Sequence, residues 1–319
     1  MAGMVSNPHP KGGKARTRRT AAAVATDRDR TQRFYDSTML GLEYVSIRLA
    51  GKRGRMYERE LWVALKAARA GAAVVRENFG LGVAAEFKSV ANPVTAVDRA
   101  SEEHILGVIR HHYPDDPIMA EESGGESQEQ GRIWLVDPLD GTVNFLHKIP
   151  QVAVSVALWA DGGPVVGVII DPLRREEFTA EIKGGAFNGG NPIHVSSQRS
   201  FGESLIATGF PYDRNEHAQA YTDNLAGVLA RAQGVRRLGS AALDLAWVAC
   251  ARYEGYWEYG IHPWDTGAGV LLITEAGGRV TTPGGGRYGL ADGAIVTSND
   301  LIHEPLLEAV QLAAPPHFS

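Results

Sequence analysis

The chain of 319 residues contains one cysteine, Cys250, so no internal disulfide can brace it and a reducing compartment is permitted. Cys250 lies in the apolar run 245–251, where a thiol reads as a packed, unreactive side chain. No stretch approaches the roughly 18 consecutive apolar residues that a membrane-spanning helix needs. The first residues do not combine a basic start with an apolar core, so they do not read as a secretory signal. His and Cys never recur at zinc-ligand spacing, which turns attention away from soft-metal chemistry. There is no internal repeat and no heptad pattern.

What the chain does have is ordinary for a globular protein, with 44% hydrophobic and 22% charged residues. Its length allows one large or two medium domains around a sizeable core. The net charge of -5 hides an asymmetry: residues 1 to 55 carry 12 Lys plus Arg against 4 Asp plus Glu, net +8, which leaves the other 264 residues at -13. The run from Lys11 to Arg19 has no hydrophobic period and reads as a disordered basic extension. It also fits an arm touching nucleic acid, a start placed too early, or loosely an organellar transit peptide, the last opposed by Asp27 and Asp29. Met56 directly precedes the first strongly amphipathic segment.

Over residues 57–79, Leu61, Ala64, Leu65, Ala68, Ala72, Val75 and Phe79 recur at three- and four-residue steps and predict a helix ended by Gly80. A second helix is expected over about 97–112, opened by Thr95, with Asp98 in its first turn, where an anion suits the dipole. Strand patterns follow at 133–136, 152–159, 164–170 and 176–181, with Asp161-Gly162-Gly163 as a hairpin turn. Beyond residue 200 helices at about 216–232, 241–253, 265–276 and 300–312 alternate with strands at about 235–238, 255–259 and 293–297, which predicts an α/β layer. Two subdomains are expected, an α+β part over 57–200 and an α/β part over 201–312.

The segment Ile133 to Phe145 carries the chemistry. An apolar strand runs into Asp137 and Asp140, which flank Pro138 and are followed by Gly141 and Thr142. Asp, Pro and Gly are also ordinary turn residues, so this stretch alone is compatible with a plain turn. Its company argues for more: Glu121-Glu122-Ser123 follows the apolar Ile118-Met119-Ala120, and Trp264-Asp265 heads an apolar run ending at Glu275-Ala276-Gly277-Gly278. Carboxylates and carbonyls with no imidazole suit magnesium, which takes hard oxygen ligands. His147 and His262 read as rim or packing side chains.

On these blocks, and on Lys88 to Asp98, Gly239 to Ala242 and Tyr256 to Gly260, the chain resembles the inositol monophosphatase family over about residues 57–312. The resemblance implies a layered αβαβα sandwich with a metal site in the seam between its two parts. It also implies a magnesium-dependent, lithium-sensitive phosphatase with two or three Mg2+ per site, a cytoplasmic location and a homodimer. Glu121, Asp137 and the Leu139 carbonyl would hold one metal, and Asp137, Asp140 and Asp265 another. Thr142 and Asp98, assisted by Glu121, would orient and deprotonate the attacking water. Asp140, Gly141, Thr142, Gly239, Ser240, Ala241, Glu258 and Asp265 would meet the substrate, expected to be inositol 1-phosphate or a similar polyol phosphate. Ala120 replaces a glycine common in relatives. Val143-Asn144-Phe145 replaces the lysine of nucleotide and histidinol phosphatases, while fructose 1,6-bisphosphate stays open. A binding protein contacting RNA or the transcription machinery is the rival from another class.

Overall fold

The computed structural model describes residues 56–82, 84–89, 92–125, 131–211 and 214–311, and the basic arm of residues 1–55 lies outside them. Helix α1 (Glu58–Asn78) buries Leu61, Ala64, Leu65, Ala68, Ala72 and Val75, the face its period predicts. Phe79 leaves the helix in an extended conformation and Gly80 follows at φ 83°. A hairpin of β1 (Ala85–Ser89) and β2 (Asn92–Thr95) leads into α2 (Ala96–His112). Thr95 caps α2 in a reciprocal box with Asp98, which satisfies amide groups that a helix start leaves without intrahelical partners.

Next come β3 (Ile118–Ala120), β4 (Arg132–Asp140), the short helix α3 (Thr142–Leu146), β5 (Ala153–Ala160), β6 (Gly163–Asp171), β7 (Glu176–Glu181), β8 (Gly185–Asn188) and β9 (Asn191–Pro192). These seven strands form one sheet in chain order, antiparallel throughout except for the parallel β3/β4 pair. Asp161 and Gly162, both at positive φ, make the tight turn between β5 and β6.

The remaining elements are β10 (Leu205–Thr208), α4 (Arg214–Leu229), β11 (Gly234–Arg236), α5 (Ala241–Ala249), β12 (Gly255–Tyr259), α6 (Pro263–Glu275), β13 (Arg279–Thr281), β14 (Ala294–Ser298) and α7 (His303–Gln311). They give a second sheet of order β11-β10-β12-β14-β13. Its first two pairings are parallel and its last two antiparallel, so the βα alternation does not make this layer parallel throughout. Helix α5 is shorter than the 241–253 expected. Ala251 turns to φ 63°, and the Arg252 and Tyr253 amides fold back onto the Trp247 carbonyl.

Helix α1 packs on α2 and against β5 and β6, while α5 and α6 pack between the two sheets, and α4 and α7 cover the far side of the second sheet. The layers therefore run αβαβα. Strand β5 shows why: Ala153, Ala157 and Trp159 join the core under α5 and α6, whereas the equally buried Val154, Val156 and Leu158 alternate to the other face. Helix α6 has sheet on both sides, and Thr266 through Ile273 are all buried, as a helix apolar all round should be. The approach is close enough to require glycine at Gly167, where an added Cβ would lie 2.7 Å from the Ala268 carbonyl oxygen. Gly167→Ala should destabilise the fold by about 1–3 kcal/mol, the usual cost of overpacking, measured by urea unfolding.

Candidate active site

Strand β4 does not stop at its proline. Asp137 pairs with Ser155 and Asp140 with Ala153, so three steps on β4 oppose two on β5 and the ladder bulges at Pro138 and Leu139. A proline has no amide to give a ladder, and the bulge is where the sheet tolerates it. The effect is to bring the two carboxylates to the same cleft. Asp137 Oδ1 accepts from the Leu139 amide at 3.0 Å. Asp140 Oδ2 accepts from Ser240 Oγ at 2.5 Å and from the Ala242 amide at 2.8 Å, which ties β4 to the start of α5. Gly141 sits at φ 89°, and a Cβ there would lie 2.8 Å from the Gln151 carbonyl oxygen, so both conformation and space demand glycine.

Glu121 follows β3, and its amide donates to the Val136 carbonyl at 3.1 Å, which places the turn beside β4. Asp265 is the third residue of α6 and accepts from the His262 amide at 2.8 Å. The His262 ring, on the rim, stacks on Trp264 with centroids 4.7 Å apart. Asp98 is fully buried: Oδ2 accepts from the Thr95 amide and hydroxyl, and Oδ1 lies 2.9 Å from Thr142 Oγ1. Thr142 Oγ1 is also 3.0 Å from the Leu139 carbonyl, so its one proton has two acceptors within reach.

These residues border a cleft of about 280 Å³ whose wall includes Glu121, Asp137, Leu139, Asp140, Gly141 and Thr142. Gly239, Ser240, Ala241, Glu258 and Asp265 line it as well. Every candidate named from the sequence thus borders this space except Asp98, which stands behind Thr142. His147, also read as a rim residue, is exposed but does not border the cleft.

Burial pushes the Asp137 carboxyl well up from its ordinary value, and Glu121, Asp140 and Asp265 push it further. Asp265 is raised well up for the same reasons, burial first and then Glu121 and Asp140. Asp140 is raised by burial but held back by its bonds from Ser240 and Ala242. Asp98 is likewise raised by burial, opposed by the Thr95 and Thr142 hydrogen bonds.

Several residues that shape the cleft escaped the sequence reading. Asn144 Nδ2 lies 2.8 Å from the carbonyl oxygens of both Gln151 and Leu238, holding the Gly239 turn against α3. Glu102 accepts from the Glu122 and Ser123 amides. Arg237, exposed, is the only Lys or Arg lining the cleft among the described residues. Asp244, 1% exposed, borders it with Oδ1 lacking a hydrogen-bond partner among the described residues. Asp244 is raised well up by burial and by Asp140 and Glu258. Their spacing to one another carries no motif; only the fold brings them together.

A five-layer αβαβα sandwich with four clustered carboxylates, on the turn after β3, the β4 bulge and the start of α6, points to a class of phosphatase. The inositol monophosphatase family profile matches residues 56–313, and the chain belongs to that family. It is 40% identical over 261 residues to Nus factor SuhB of Pseudomonas aeruginosa, covering 80% of this chain and 96% of that protein. With the inositol-1-monophosphatase of Synechocystis sp. it shares 43% over 226 residues, 70% of this chain and 78% of the relative. The solved inositol monophosphatase of Anabaena (Nostoc) sp. matches with a TM-score of 0.73 at 41% identity, covering 82% of this chain and 98% of that one. Membership supports phosphatase activity on a phosphorylated substrate, in a family that is generally metal-dependent. Among the described residues no helix is long and apolar enough to cross a membrane.

Glu258 offers a test of this electrostatic description. Burial raises its carboxyl to about 7, although it accepts from the Tyr256 hydroxyl. Between its ordinary value and about 7 the folded chain holds a proton that the unfolded chain has lost, so this group's contribution to stability falls as pH rises through that window. Glu258→Gln, neutral throughout, should lose less melting temperature than the wild type between pH 5 and pH 8 in metal-free buffer. Parallel pH curves for the two proteins would refute the assignment.

Proposed function

We propose that this chain is a magnesium-dependent phosphatase that hydrolyses inositol 1-phosphate to inositol and phosphate by direct attack of water. The observation that carries the reading is the meeting of Glu121, Asp137, Asp140 and Asp265 at one cleft, with Thr142 beside them and Asp98 behind it. The donor set fits a hard cation. It is oxygen throughout, and burial together with mutual repulsion raises Asp137 and Asp265, as expected of anions that await a counter-charge. Among the described residues no three or more His, Cys, Asp or Glu side chains form a ready-made metal cage.

Glu121, Asp137, Asp140, Asp265 and the Leu139 carbonyl would hold the magnesium. When bound, magnesium supplies positive charge against the phosphate oxygens and makes water more acidic. The chain's own groups handle the proton. Asp98 Oδ1 takes the Thr142 proton in a hydrogen bond, which leaves the Thr142 oxygen able to accept from the attacking water. As the new P–O bond forms, a proton passes from water to Thr142 and from Thr142 to Asp98. The raised affinity of buried Asp98 for a proton suits that end point. The ester bond breaks, and its oxygen leaves with the electron pair and takes a proton from a second water to become the alcohol. Glu258 and the Gly239 to Ala241 turn, which line the cleft, would meet the alcohol's hydroxyls.

Lithium inhibition and a homodimer belong to the same reading. A broader sugar phosphatase acting also on fructose 1,6-bisphosphate is its nearest variant. The likeness to proteins named Nus factor supports a second role, in which the chain contacts RNA or the transcription machinery. RNA binding with steep salt dependence that vanishes without residues 1–55 would assign that role to the arm.

Phosphate release with magnesium, with and without lithium, on inositol 1-phosphate, fructose 1,6-bisphosphate and histidinol phosphate tests the reading. Preference for inositol 1-phosphate with lithium inhibition is expected; no metal-dependent release from any of the three would overturn it. Asp137→Asn and Asp140→Asn should each cut turnover by at least about a hundredfold, the upper range for loss of outer partners of metal ligands, while circular dichroism stays that of a folded protein. Unfolding of both variants would make these carboxylates structural.

A further inference from the structure

Helix α2 presents three buried polar side chains at positions 98, 101 and 102, the spacing that puts residues on one helix face. Each ends on a different segment of the cleft wall. Asp98 bonds Thr142 of α3. Ser101 Oγ donates to the Pro138 carbonyl at 2.7 Å, inside the β4 bulge. Glu102 Oε2 accepts from the Glu122 amide at 2.9 Å and Oε1 from the Ser123 amide at 3.0 Å, across about 20 residues of chain. Glu102 is 5% exposed, while Glu122 is half-buried and Ser123 exposed, so the carboxylate is the buried end of both bonds.

We propose that Glu102 is a positioning residue that sets the magnesium affinity of the cleft by fixing the turn that carries Glu121. This rests on the magnesium reading given above. The turn is pinned at its base by the Glu121 amide on Val136 and by the reciprocal bonds between Ala120 and Gly124. Its next two amides, at Glu122 and Ser123, end on Glu102. Both bonds run from a backbone amide to a carboxylate, the stronger kind of hydrogen bond. Without them the turn regains conformational freedom that must be lost again each time Glu121 is brought to a cation. The same helix holds the Pro138 carbonyl, next to Asp137, so α2 fixes both sides of the Glu121 and Asp137 pair at once.

The test uses the full chain and three variants, Glu102→Ala, Glu102→Gln and Ile105→Val. Ile105 lies on the same helix, fully buried, with its side chain against Gly71 of α1, so its variant reports loss of helix packing. Magnesium is titrated with two readouts: phosphate release, and the rise in melting temperature, which needs no turnover. Glu102→Ala should raise the half-saturating magnesium at least about tenfold in both readouts, within the range known for outer partners of metal ligands. At saturating magnesium kcat and KM should return to within about threefold of the wild type, because the reacting groups are untouched. Glu102→Gln, which keeps the shape and one acceptor, should fall between, and it carries the test if the alanine variant does not fold. Ile105→Val should leave the half-saturation point unmoved. An unmoved midpoint in both Glu102 variants, or an equal shift in Ile105→Val, overturns the proposal. A wild-type chain indifferent to magnesium in both readouts would overturn the magnesium reading on which it rests.

Discussion

Mutual repulsion among Glu121, Asp137, Asp140 and Asp265 is the constraint around which the rest of this structure is arranged. Carboxylates brought together away from water raise one another's proton affinity and oppose the compact state. A fold can keep such a group only by holding each member from outside the cluster. Here the holding groups are backbone amides and a serine: Leu139 for Asp137, Ser240 and Ala242 for Asp140, and His262 for Asp265. Each anchor comes from an element with its own place in the sandwich, so the layers and the charge cluster are parts of one arrangement.

The layer order supplies the rigidity. Helix α6 is buried between two sheets and cannot tilt, because Gly167 and Gly267 let it approach β6 and β4 to contact distance. Asp265, the third residue of the helix, inherits that fixed position. The β4 bulge does the same for Asp137 and Asp140. Such fixed placement matters wherever groups must act together, since misplacement by about 1 Å can cost orders of magnitude in rate.

Much of this was legible in the sequence where local rules decide. The apolar period of α1, the Thr95 cap with Asp98, and the Asp161-Gly162 turn each express a local preference, and the structure keeps all three. Strand β10 gives no sequence signal because Leu205 to Thr208 is only four residues long and has no alternation to read, yet it is an interior strand of the second sheet. The apolar pattern ends the strand at Val136, because the pairing with Ser155 and Ala153 that continues β4 to Asp140 is a long-range fact. Glu102, Asn144, Arg237 and Asp244 were invisible for the same reason. A glutamate in an amphipathic helix looks like a solvated charge until the fold brings Glu122 and Ser123 to it.

Crystals grown with manganese, which shares magnesium's preference for oxygen ligands and gives an anomalous signal, test most directly whether these carboxylates are gathered to hold a divalent cation. The expected result is an anomalous peak bonded to oxygens of Asp137 and at least one of Glu121, Asp140 and Asp265. A cleft that shows no peak at high manganese concentration, or a peak bound elsewhere with these side chains turned apart, would contradict it.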